Sequence, residues 1–227
     1  MQPEQEFYET ARAIVSFTDS YTQNKQKIEK EQSDSECTTS LTAIVSSLES
    51  LSYKIQNNDS CKSMIQIPKL LQSLFAISLY KIGTHIDVDR QRLEVRSWSR
   101  WCLSWIQQFG DEQVQTELVR QGYGRVMSIS FCTAGGKGEE QDKEIWNVLR
   151  SIFWSLRDLY IGRNDWQPSF QPLPLLGRRS EEQIEEEGAN EEMEAQMINN
   201  GLGRGIDNWA NKAKEVIQNH FIHKRKI

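Results

Sequence analysis

The chain holds four cysteines in 227 residues, Cys37, Cys61, Cys102 and Cys132, and no two of them form a CxxC pair. Zinc sites and redox motifs need such close pairs, so neither is expected. Secreted disulfide scaffolds are normally much shorter, which leaves reduced, mostly buried thiols as the reading. No apolar run approaches the roughly 20 residues that cross a bilayer, and no membrane span is expected. The opening MQPEQEFYE has neither the basic lead nor the apolar region of a secretory signal. These absences predict a soluble intracellular chain, cytoplasmic or nuclear.

Catalytic signals are missing as well. There are three histidines. His85 stands beside Asp87 and Asp89 in THIDVD, but no fourth metal ligand is in sight, and His220 and His223 flank a basic tail. No serine or cysteine has a histidine and an acid near it in sequence. TAGGKGEE lacks the GxxxxGK[ST] spacing of a phosphate loop, and its last two residues, Glu139 and Glu140, open the next helix with charge that would repel a phosphate. GLGRG, at Gly201–Gly205, follows a helical pattern instead of a strand, so it is no dinucleotide fingerprint. No enzyme, no cofactor and no metal are expected.

What is present is helical. Hydrophobic residues make up 37% and charged residues 26%, a folded centre diluted by polar segments. Period-2 alternation is weak, whereas apolar residues recur three and four apart. Phe7, Ala11, Ile14, Val15 and Thr18 share one face of a first helix. The polar segment Gln23–Glu36 either continues it or forms a link. Leu41, Ile44, Val45, Leu48 and Leu51 make a stripe on a second helix, from about Thr38 to Ile55. Pro68 suits the first turn of a helix running to Ile82, stopped by Gly83. After a loop at Thr84–Arg90, a long helix runs to Phe109. Asp111 caps the short helix Glu112–Arg120, and Gly122 and Gly124 allow a corner into Arg125–Cys132. A helix from Glu139 to Tyr160 buries Ile145, Leu149, Ile152, Phe153 and Leu156. Asn164–Gly177, with Pro168, Pro172 and Pro174, reads as an extended strap over apolar surface. An acidic helix, Ser180–Asn199, and a last helix, Ile206–Phe221, complete the pattern.

Two stretches are alike: LVRQGYGRVMSISF from Leu118 and IEEEGANEEMEAQMI from Ile184. Each has an aliphatic residue, a glycine four positions on and then a helical run, followed later by a helix carrying tryptophan. MIQIPKLLQSLF from Met64 resembles the second half of that unit. This rhythm resembles a degenerate armadillo repeat, with insertions at 84–90, 134–140 and 163–179. The resemblance implies an all-α, armadillo-like partial solenoid whose stacked units bury one continuous core. An irregular helical bundle is the alternative. The expected division is an N-terminal helix and link over 1–36, an armadillo-like core over 37–162, the strap over 163–179, and the acidic and basic helices over 180–227.

The resemblance also implies a protein-binding role, since third helices of armadillo units line a groove that holds an extended peptide. Trp98, Trp101 and Trp105 fall on one helix face, and Trp146 and Trp154 on another. Each has core packing as its plain alternative. Arg96, Arg100, Arg150 and Arg157 lie among them, and tryptophan with arginine is a common interface anchor. The expected groove comprises Trp98, Trp101, Trp105, Trp146, Asn147, Arg150 and Trp154. Importin-α-like proteins place an asparagine one turn after the tryptophan; here Asn147 and Asn208 adjoin a tryptophan instead.

Charge adds a secondary expectation. The net charge of −5 gives no whole-chain argument for nucleic acid, though Lys224, Arg225 and Lys226 make the end basic. That tail reads as a frayed end, a nuclear import tag or a phosphate contact. The acidic run Glu181–Glu194 reads as a solvated face, or as a dock for a basic partner or for the chain's own tail. The expected function is a non-catalytic adaptor or scaffold with a protein partner. The alternatives are a regulator, such as a nucleotide-exchange factor for a chaperone ATPase, or a helical subunit of a nucleoprotein or other large assembly.

Overall fold

The structure, a computed structural model, describes residues 3–28, 35–57, 66–79, 86–131, 142–164, 168–199 and 205–223. Among these there are ten helices and no strand, apart from an isolated antiparallel bridge between Arg163 and Phe170. The chain divides into two compact units, Met1–Gly110 and Asp111–Ile227. The boundary falls inside the stretch 37–162 that the sequence reads as one core.

In the first unit, α1 (Pro3–Ile28), α2 (Ser35–Asn57), α3 (Leu70–Ser78) and α4 (Ile86–Phe109) pack as a bundle. α4 lies against α2 and α3, and α1 closes the other side against the same two helices. The predicted stripes face inward: Phe7, Ala11 and Ile14 meet a core containing Leu41, Ile44, Leu48 and Leu51. Burying each large aliphatic chain contributes roughly 1.5–3 kcal/mol. One open alternative takes its helical form as far as Ile28, and two expectations change. α1 runs on through the first part of the polar segment, to Ile28. α4 begins at Ile86, inside the expected loop. α3 begins at Leu70, so Pro68 precedes the helix, and Lys69 takes the left-handed N-cap conformation with φ of 65°. Gly83, His85, Cys61 and Cys132 lie outside the described residues.

In the second unit, Asp111 caps α5 (Glu112–Gln121) as expected, its carboxylate accepting the Val114 N–H at 3.1 Å. Gly122, at φ of 95°, turns the chain into α6 (Tyr123–Ile129). Gly124 does different work: a Cβ there would sit 2.7 Å from the Ser180 carbonyl oxygen, so its missing side chain lets α6 close on the helix that carries Ser180. α7 (Asp142–Ile161) buries Leu149, Ile152 and Leu156 as expected, but leaves Ile145 and Phe153 half-buried while Val148 and Leu159 go inside. The stripe is rotated toward Val148.

The proline segment is extended only to Leu173, because Pro174 opens α8 (Pro174–Glu186). Proline at the first helical position loses no hydrogen bond and already has a helical φ. The acidic helix is two helices, since Gly188 at φ of 70° separates α8 from α9 (Ala189–Gln196). α10 (Ile206–His223) packs against α7 and α9, while α8 packs against α6 and α7. The strap itself is pinned by charge as much as by apolar contact. Arg163 and Asp158 pair at 2.9 Å with side chains only 2% and 3% exposed, and the guanidinium lies 4.7 Å from the centre of the Phe170 ring.

Candidate partner-binding face

The predicted tryptophans fall in different units: Trp98, Trp101 and Trp105 on α4, Trp146 and Trp154 on α7. On α4 one face is buried through Val95, Ser99, Cys102, Leu103 and Ile106, and the three tryptophans lie half-buried beside it. Trp101 meets Trp105 edge to face at 5.3 Å, and Trp105 stacks on Phe109 at 5.5 Å. This i, i+4 ladder is what helical geometry gives aromatics one turn apart.

Arg96 and Arg100, expected among the interface anchors, are buried. Arg100 donates to the Ser78 carbonyl at 3.4 Å and Ser99 donates to the Leu74 carbonyl at 2.7 Å, both in the last turns of α3. A cation at a helix C-terminus meets carbonyls that lack intrahelical partners. These two arginines belong to the core.

On α7 the aromatic groups join a partner that the sequence alone leaves out of the groove. Trp209 of α10 lies 6.0 Å from Trp146, nearly perpendicular, and 5.6 Å from Phe153. Phe153 in turn meets Trp154 at 5.1 Å. Trp146, Trp209, Phe153 and Trp154 therefore form one connected chain of rings, each half-buried. Three cations cover them: Arg150 lies 5.7 Å from the centre of Trp146, Arg157 5.0 Å from Trp154 and Lys212 4.5 Å from Trp209. Such contacts contribute about 0.5–1 kcal/mol each at exposed sites.

Asn147 is half-buried beside Trp146, its backbone carbonyl accepting from Ser151 at 2.9 Å. The sequence signal for Trp209 is its helical spacing with Ala213, Val216 and Ile217; its meeting with Trp146 requires the packing of α7 on α10. Among the described residues the indole N–H groups of Trp105 and Trp154 are buried without an acceptor.

The acidic run is partly internal. Glu186 and Glu187 pair with Arg125, Glu194 pairs with Lys214, and Glu181 is buried near Tyr160. Burial and the hydrogen bond to Glu181 push the Tyr160 phenol well above its ordinary range. The basic tail Lys224, Arg225 and Lys226 lies outside the described residues. No described helix is long and apolar enough to cross a membrane, and no described cluster of His, Cys, Asp or Glu could hold a metal ion. Compared with protein-family profiles, curated proteins and solved structures, the chain matches none.

Proposed function

We propose that this chain is a non-catalytic protein-binding scaffold that docks its partner on the aromatic and cationic face of α7 and α10. The observation that carries the reading is the chain of half-buried rings from Trp146 through Trp209 and Phe153 to Trp154, overlaid by Arg150, Lys212 and Arg157. Tryptophan supplies large contact area with little side-chain freedom to lose, and arginine supplies a planar fork of donors, which is why both are common among interface anchors. The cations favour an extended partner segment that brings carboxylates.

Support for an armadillo-like arrangement comes from the second unit. Leu118 and Ile184, both buried, each stand four residues before a left-handed glycine. Each glycine leads through a short helix to a long one bearing tryptophan, and those two long helices, α7 and α10, pack together. Repeats that stack in this way present their long helices side by side as a binding face.

The test compares wild type with Arg150→Glu/Lys212→Glu and with Trp146→Ala in quantitative affinity capture from native extract. Circular dichroism checks that helicity is kept. Partners recovered by the wild type should fall at least about tenfold in yield with either variant, as expected for loss of an interface anchor. Equal recovery of the same partners by all three proteins would remove this face from the function.

A further inference from the structure

We propose that the second unit carries a separate site for a phosphomonoester, in a cleft where the α5–α6 corner meets α8. The cleft has a volume of about 350 Å³ and is lined by Arg120, Arg125, Arg178 and Arg179, with Glu182 and Glu186 as its acids. Glu117 and Glu187, at its margin, pair with Arg120 and Arg125, so four carboxylates surround the four guanidinium groups and Arg178 and Arg179 are the cations least engaged.

The sequence brings these arginines together for backbone reasons. Arg120 and Arg125 flank Gly122, whose left-handed turn places the end of α5 and the start of α6 around one corner. Gly124 lacks a side chain at a point where a Cβ would be 2.7 Å from the Ser180 carbonyl oxygen, so α8 lies close against that corner. Gln183 strengthens the junction by donating to the Val119 carbonyl at 2.8 Å. Arg178 and Arg179 of α8 are thereby set beside Arg120 and Arg125.

The arginines are not equally engaged. Arg120 donates twice to Glu117, at 2.6 and 2.8 Å, and Arg125 pairs with Glu186 and Glu187. Arg178 reaches Glu182 at a longer 3.4 Å, with side chains 67% and 58% exposed. Among the described residues Arg179 has neither an ion pair nor a hydrogen bond. Exposed pairs of this kind are weak, so Arg178 exchanges Glu182 for a stronger anion at little cost.

A phosphomonoester carries nearly two charges near neutrality and three acceptor oxygens, which match guanidinium forks in bidentate geometry. A carboxylate has one charge and two acceptor oxygens. The shared chemistry is a terminal phosphate, either free or on a phosphorylated serine of a partner.

Calorimetric titration of the full chain tests this with inorganic phosphate, a short Gly/Ser peptide bearing one phosphoserine, and the same peptide unphosphorylated. Saturable binding of at least one phosphate probe is expected, with none for the unphosphorylated peptide. Arg178→Ala/Arg179→Ala should weaken it about tenfold or more, the usual scale for a lost charged hydrogen bond. Arg178→Lys/Arg179→Lys, which keeps charge and fold, should also weaken it, because the fork is lost. Arg12→Ala, in the other unit, should leave it unchanged. Tighter binding of the phosphopeptide than of the free ion assigns a protein source, and equal binding assigns the free ion. Absence of saturable binding by either phosphate probe, or binding insensitive to both double variants, overturns the site. The Trp146 face does not enter this assay, so the two proposals fail separately.

Discussion

At the scale of single residues, the Asp158–Arg163 pair bears the most consequence. Both side chains are almost wholly buried, and the same arginine also bridges to Phe170 through the backbone, with bonds of 2.8 and 3.0 Å. Burying two charges is costly, so the pair is weak evidence of net stabilisation, but removing Arg163 takes from the buried Asp158 its closest cation and leaves the longer contact to Arg157, at 3.8 Å. Arg163→Ala should therefore lower stability by roughly 3 kcal/mol in chemical denaturation, whereas Arg163→Met/Asp158→Asn should recover much of that deficit. A double variant as unstable as the single one would show that the aspartate's charge is not the cause. Nothing in the sequence distinguishes this pair, because aspartate and arginine five apart on a helix exit are usually solvated. The same default hides Arg96 and Arg100. Arg100 meets the carbonyl end of α3, which comes from elsewhere in the chain.

The elements themselves are more legible, for a physical reason: stripes and caps are local. Phe7, Ala11 and Ile14 repeat at helical spacing, and Asp111 stands where an N-cap must. Gly122 reads as a corner for its own conformational freedom, and the structure agrees. Gly124 reads the same way, yet its role is to admit α8, a proximity no local pattern encodes. The starts of α3, α4 and α8 differ from expectation because propensity sets ends only weakly. The groove residues are legible as same-face sets, but which ring meets which is not, and Trp209 enters only through packing.

Lys69 gives an element-scale test. Its left-handed φ of 65° costs a side-chain-bearing residue about 1–2 kcal/mol. Lys69 also pairs with Asp19 at 3.0 Å, an exposed ion pair that Lys69→Ala and Lys69→Gly remove alike. The glycine variant should be the more stable of the two by about 1 kcal/mol in thermal unfolding, and equal stabilities would rule out backbone strain there.

At the scale of the whole molecule, each unit has its own core and its own aromatic face. Cys102 reports on the first of them. Its thiol is fully buried, donating to the Leu48 carbonyl at 3.4 Å, and burial raises its pKa far above the ordinary 9.0. The folded chain holds that proton more tightly than the unfolded chain, so this contribution is complete below pH 9.0 and declines as pH rises beyond it. In a variant keeping Cys102 alone among the cysteines, a thiol reagent at pH 8 should react only at the rate of unfolding; prompt labelling of native protein would show the α2–α4 seam to be open. The near-perpendicular indoles of Trp146 and Trp209, 6.0 Å apart, have an optical consequence too. Two such chromophores couple their excited states, so the pair should contribute a split dichroic band in the ultraviolet. Any ligand that wedges between the rings would extinguish that band without a label being attached.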